Sequence, residues 1–127
     1  MGDTINVLIA GDNLWLLHST RSLIQDAAFI ERVATCSIQQ ARVVAARSRP
    51  DVILVLNGAM FVAHHDALTR LRHEQPEARI IITTVIEESL YEAHPFAANF
   101  DALIEEARLS HALIPTIHRL VSSVSED

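Results

Sequence analysis

A chain of 127 residues sets the scale of one domain, enough to bury about two-thirds of the surface its unfolded form would expose. Half of its residues are hydrophobic and only 5% aromatic, so the core is aliphatic; the formal charge of −6 argues against nucleic-acid binding by this chain, which needs clustered cations. All ten basic residues are arginine, which excludes lysine-dependent chemistry such as a Schiff base, and the single cysteine, Cys36, excludes an intrachain disulfide and fits a reducing cytoplasm.

No stretch approaches the roughly 18 apolar residues of a membrane span, and the first residues lack the cationic start of a signal peptide. In chain order, Ile5 to Ala10 reads as a first strand, closed by the turn signal Gly11-Asp12-Asn13. Leu14, Leu17, Arg21 and Ile24 then fall at helical spacing, giving a helix from Leu14 to Gln25 in which Asp12 reads as the capping turn residue. A second, edge-like strand covers Ile30 to Cys36, with Cys36 as a small apolar filler at its end. Ser37 is placed to cap the next helix, which runs through Ala41, Val44 and Ala45 to Arg47.

Pro50 and Asp51 then punctuate the start of Val52 to Leu56, five consecutive aliphatic residues of the kind that fill a central parallel strand covered on both faces. A helix over His65 to His73 follows, then a strand over Arg79 to Thr83, a short helix around Glu88 to His94, a brief strand over 102–104 and a last helix ending near Ser123. Regular alternation of apolar strands and helices means a parallel sheet with helices on both faces. Pro95 stops the 88–94 helix, and Pro115 predicts that the last helix either starts late or kinks near Ile114.

Several chemistries find no support. The seven histidines include no His-x₃-His pair, and Cys36 has no partner at ligand spacing, so no metal site is expected. There is no Gly-x-Ser-x-Gly elbow, and three glycines leave no room for a Gly-x-Gly-x-x-Gly or Walker phosphate loop.

Leu-Ile-Ala-Gly-Asp-Asn (8–13), Arg-Pro-Asp-Val-Ile-Leu (49–54) and Ile-Ile-Ile-Thr-Thr (80–84), in this order and spacing, resemble the receiver domain of bacterial response regulators. The likeness covers residues 4 to 122 and is strongest to receivers that precede a helix-turn-helix output domain. It implies a flavodoxin-like fold, a (βα)5 three-layer α/β sandwich whose five-stranded parallel sheet has order 2-1-3-4-5. It also implies phosphoryl transfer from a partner histidine kinase onto an aspartate, with Mg²⁺ bound beside it.

Position by position, this chain departs from that chemistry. The family's paired acids match Gly11 and Asp12, so one acid is lost. The phosphoacceptor matches Leu56, or Asn57 if the register slips by one; a leucine has no lone pair and a neutral amide forms no acyl phosphate. Thr84 keeps the hydroxyl that ends the fourth strand, where it is expected to bond the local backbone. The aromatic switch position matches Leu103, and the phosphate-contacting lysine matches Glu106, a charge reversal. Mg²⁺ wants octahedral oxygen ligation with carboxylates in its inner shell, so neither it nor any other cofactor is expected here.

The resemblance therefore implies a degenerate, non-enzymatic pseudo-receiver of the cytoplasm. It would signal by homodimerisation or by docking a protein partner through the face built from the 88–94 helix, the fifth strand and the last helix, with Tyr91 and Leu103 as interface candidates. Residues 1–122 would form the receiver-like domain, and the polar tail 123–127 would begin a linker to an output domain controlling transcription. An alternative reading gives the vacated pocket, lined by Gly11, Leu56, Asn57 and Thr84, to a small ligand. A flavin carrier is a third reading, disfavoured because no hydroxyl-rich phosphate loop follows the first strand.

Overall fold

The computed structural model describes residues 4–56, 65–85 and 100–125. Their elements run β1 (Ile5–Gly11), α1 (Leu14–Ile24), β2 (Ile30–Cys36), α2 (Ala41–Ser48), β3 (Val52–Leu56), α3 (His65–Glu74), β4 (Arg79–Thr84) and β5 (Ala102–Glu105). A 3₁₀ turn over Glu106–Arg108 leads into the last helix, α4 (Leu109–Ser125). The helix expected at 88–94 and the stop at Pro95 lie outside the described residues.

The five strands form one sheet in the order β2-β1-β3-β4-β5, and every neighbouring pair is parallel. Strand period two divides the apolar residues between two faces. Val7, Ile9, Val52, Leu54, Leu56, Ile81 and Ile104 share a cluster with Leu17 and Ile24 of α1 and with Leu109, Leu113, Ile117 and Leu120 of α4. Leu8, Ala10, Ile53, Val55, Ile80 and Ile82 pack instead with Ala41 and Ala45 of α2 and Leu68 and Leu71 of α3. This is why β3 is apolar without alternation: both of its faces are covered, and all five of its residues are buried. Burial of each large aliphatic side chain contributes roughly 1.5–3 kcal/mol, and among the described residues about half of these buried side chains lie on β1, β3 and β4.

Three local expectations need correction. Asn13, not Asp12, caps α1: its backbone is extended and its Oδ1 accepts from the Leu16 N–H at 3.1 Å. Ser37 Oγ accepts from the Gln40 N–H at 3.3 Å, so it closes the turn over residues 38–40, and α2 starts later, at Ala41. The last helix does not start late, with Pro115 in its first turn: it begins at Leu109, six residues before Pro115, and continues to Ser125. Pro115 and His111 both lie on the exposed side. The carbonyl of His111, which loses its helical donor to the proline ring, therefore faces water that can replace that bond.

At the amino edge of the sheet, two aspartates organise the strand starts. Asp51 Oδ2 accepts from the Asn6 N–H at 2.9 Å, while its own N–H donates to Asn6 O at 2.9 Å and its carbonyl accepts from Arg79 N–H at 3.0 Å. Asp101 Oδ2 accepts from the Ile80 N–H at 2.8 Å and from Arg72 Nη1 at 3.0 Å. Arg72 Nη2 also donates to the carbonyls of Gln75, Pro76 and Ala78, fastening the end of α3 to the loop that enters β4. With β1, β3, β4 and β5 fixed at this end, their carboxyl ends are delivered side by side at the other.

Candidate functional site

Parallel α/β sheets place their chemistry beyond the carboxyl ends of the strands, because there the loops and helix N-termini converge. Here that edge is made by Gly11 closing β1, Leu56 closing β3, Thr84 closing β4 and Glu105 closing β5, with Glu106 opening the 3₁₀ turn. Register brings Gly11 directly opposite Leu56, and Thr84 opposite Glu105. The candidates picked from sequence are thus gathered on one edge of the fold. Asn57 and Tyr91 lie outside the described residues.

Gly11 and Leu56 do not line a cleft together; they fill one another's space. Both are buried, and Leu56 belongs to the same apolar cluster as Leu54 and Leu17. A Cβ at Gly11 would lie 3.1 Å from Leu56 Cβ, 3.4 Å from Leu56 Cδ1 and 3.5 Å from Leu17 Cδ2. The side of the site that these two share is therefore occupied by packed hydrocarbon. That counts against the reading in which a small ligand enters between them.

Asp12 has an exposed side chain, and its Oδ1 accepts from the Ile38 N–H at 3.2 Å. It ties the β1–α1 loop to the turn that precedes α2. Thr84 is fully buried, and so is its neighbour Thr83, whose Oγ1 has no hydrogen-bond partner among the described residues. Leu103 is half-buried on β5 and packs against the α2–α3 side of the sheet. Glu106 is half-buried and, with Glu105, makes the end of β5 acidic where the resemblance would place a lysine.

These donors do not fit Mg²⁺. Gly11 and Leu56 offer no side-chain oxygen, and one oxygen of Asp12 is engaged by a backbone amide. Among the described residues no group of three His, Cys, Asp or Glu side chains could hold a metal ion. Cys36, at the end of β2, has its thiol pKa pushed up by burial, which keeps it protonated and a poor nucleophile. No described helix is long and apolar enough to cross a membrane.

Two features escaped the sequence reading. Pairs of adjacent Asx residues carry no mark of which one caps, so the division of labour between Asp12 and Asn13 became visible only in three dimensions. The contact between Gly11 and Leu56 joins residues 45 positions apart in the chain, and no local pattern announces it.

No family model matches the chain, and no curated protein matches it. Solved structures do. A LuxR-family two-component response regulator from Aurantimonas superposes with a TM-score of 0.75 at 15% identity, covering 95% of this chain and 87% of that one. A LuxR-family DNA-binding response regulator from Staphylococcus aureus gives 0.73 at 21% identity, over 91% and 97% of the two chains. The isolated receiver domain of RcsB from Salmonella enterica serovar Typhimurium, with a phosphomimetic beryllofluoride, gives 0.79 at 12% identity over 94% and 90%. The protein has the flavodoxin-like fold of response-regulator receiver domains, with their strand order 2-1-3-4-5.

Proposed function

We propose that this chain is an atypical receiver domain that takes no aspartyl phosphate and passes its signal by contact. The observation that carries this reading is the burial of Leu56 against Gly11 at the end of β3. An acceptor must present a nucleophilic oxygen to a phosphoryl donor in water, and this position presents a leucine buried in the same apolar cluster as Leu17. The reversal to Glu106 points the same way, since it would add negative charge where a phosphoryl group brings more. The domain works without bound Mg²⁺ and without catalytic activity of its own, in the cytoplasm.

Its partner is a second copy or another protein, met through the β5 and α4 side of the fold, where Leu103 is only half-buried and His111 and Arg119 are exposed. Similarity to LuxR-family regulators favours an output in transcription. The experiment is incubation with acetyl phosphate and Mg²⁺, read by intact mass, together with light scattering of the untreated protein. No added phosphoryl mass and a dimer in solution are the expected results. A stoichiometric phosphoryl adduct that turns over sinks the reading.

A further inference from the structure

Among the described residues, Leu14 and Trp15 stand out as adjacent large apolar side chains left in water, 70% and 76% exposed in the first turn of α1. Trp15 is also the only tryptophan of a chain poor in aromatics. A helix turns once in about 3.6 residues, so the buried Leu17, Thr20 and Ile24 fix the inward face of α1, and Trp15 and Ser22 point directly away from it. His18 and Ser19 lie between those two and are exposed as well. The Ser19 hydroxyl donates to the Leu16 carbonyl at 3.3 Å, so its hydrogen is satisfied within its own helix. The outer stripe of α1 therefore has a large ring at one end and small side chains at the other.

Charge indicates what can cover this stripe. From Asn13 to Thr20 no residue carries a formal charge, on a chain whose net charge is −6. Two copies of such a chain repel one another overall, and least where charge is absent. The carboxyl edge, with Asp12, Glu105 and Glu106, offers no such meeting place. The stripe is also complementary to itself. A two-fold axis passing between His18 and Ser19 lays a second α1 antiparallel on the first, and each Trp15 then meets the partner's Ser22, because two turns, about 10 Å, separate these positions in both copies. We infer that the outer face of α1 is a self-association surface, on which a second copy of this chain packs with Trp15 of each seated over the small side chains at 19 and 22 of the other. Tryptophan is among the side chains that most often anchor interfaces, because it brings a large apolar area to one spot. The inference goes beyond the receiver reading and does not rest on it: this surface is distinct from the β5 and α4 side, which it leaves to a different protein. One helix face falls short of the roughly 20–30 residues a side of a stable complex, so the dimer is weak and comes apart on dilution.

Because Trp15 is the sole tryptophan, its fluorescence reads this contact directly. The full chain is diluted in steps while light scattering follows its mass and the emission maximum follows the surroundings of the ring. The dimer and a blue-shifted emission should disappear together over the same concentrations. Ser22→Glu should remove both, since that position is exposed, two turns from Trp15 in its own copy and beside it in the partner. The dissociation constant should rise by about tenfold or more, as when a hot-spot contact is lost. Val43→Glu, at an exposed valine of α2, should leave mass and emission as in the parent. A chain that stays monomeric at every concentration overturns the inference, as does a dimer in which Trp15 still emits like a ring in water. A dimer that Ser22→Glu leaves intact overturns it too. If Arg119→Glu breaks that dimer instead, the second copy sits on the β5 and α4 side, and the contact reading stands without this one.

Discussion

Asp12 and Asn13 are adjacent and nearly isosteric, yet they hold different elements. Asn13 Oδ1 takes the Leu16 N–H and starts α1; Asp12 Oδ1 takes the Ile38 N–H and ties two loops together across the carboxyl edge. Asn13→Ala should therefore cost about 1 kcal/mol through the lost cap. Asp12→Ala should cost about 0.5–1.5 kcal/mol through the lost hydrogen bond. Hydrogen exchange separates them: Asp12→Ala should speed exchange at the Ile38 amide and leave Leu16 protected, and Asn13→Ala should do the reverse. Equal effects at both amides would show that the two side chains act as one cap. Asp12 thus serves as a clamp between the two loops.

Among the elements, α2 and α3 on one face are joined by an exposed ion pair. Arg42 Nε donates to Glu74 Oε1 at 2.9 Å, and Arg42 Nη2 meets Glu74 Oε2. The hydrogen bond from Arg42 holds the Glu74 carboxyl below the usual carboxylate range, with Coulomb attraction to Arg42 and Arg70 adding to it. A carboxyl whose pKa is lower in the folded state stabilises fully above its unfolded value, and that contribution disappears as the pH falls through the folded value. The Glu74→Gln variant should thus melt slightly below the parent at neutral pH and indistinguishably from it in acid below the ordinary glutamate range. Because the pair is open to solvent, high salt should shrink the difference as well. A gap that widens on acidification would refute this account of the pair.

α2 shows a second cost at element scale. It ends on Arg49 in the left-handed region, with φ 47° and ψ 62°, a conformation that glycine takes without strain. The N–H of Arg49 still bonds Ala45 O at 2.9 Å, and Pro50 follows at once to stop the helix. The stop itself is legible from Pro50, while the left-handed residue before it is not.

For the whole molecule, the sandwich makes a simple demand on β4. Ile81 packs towards α1 and α4, and Ile82 towards α2 and α3; each is completely buried. If helices cover both faces, Ile81→Ala and Ile82→Ala should be similarly damaging, at about 2–5 kcal/mol each. With a total stability of about 5–15 kcal/mol for a domain of this kind, the double variant should be largely unfolded. Urea denaturation of the three variants checks this, and a cheap substitution at either position would mean that one face is open. The same covering means that the fold does not lean on charges at the carboxyl ends of its strands. The strands are held by aliphatic burial and by Asp51, Asp101 and Arg72 at the far edge, none of which depends on the charges at the carboxyl ends.

Much of this architecture was legible in the linear chain. Unbroken aliphatic runs at 52–56 and 80–82 demand cover on both faces, and the helices between them supply it, so the parallel α/β class follows from burial alone. That Leu56, which closes β3, carries no carboxylate was equally plain. What tertiary structure decided was how Gly11 and Leu56 meet and which of two similar side chains does what. The Gly11–Leu56 approach depends on register between strands far apart in sequence. The choice of Asn13 over Asp12 as cap depends on where Ile38 is brought from across the sheet. Both are set by distances between segments, and local propensity encodes none of these.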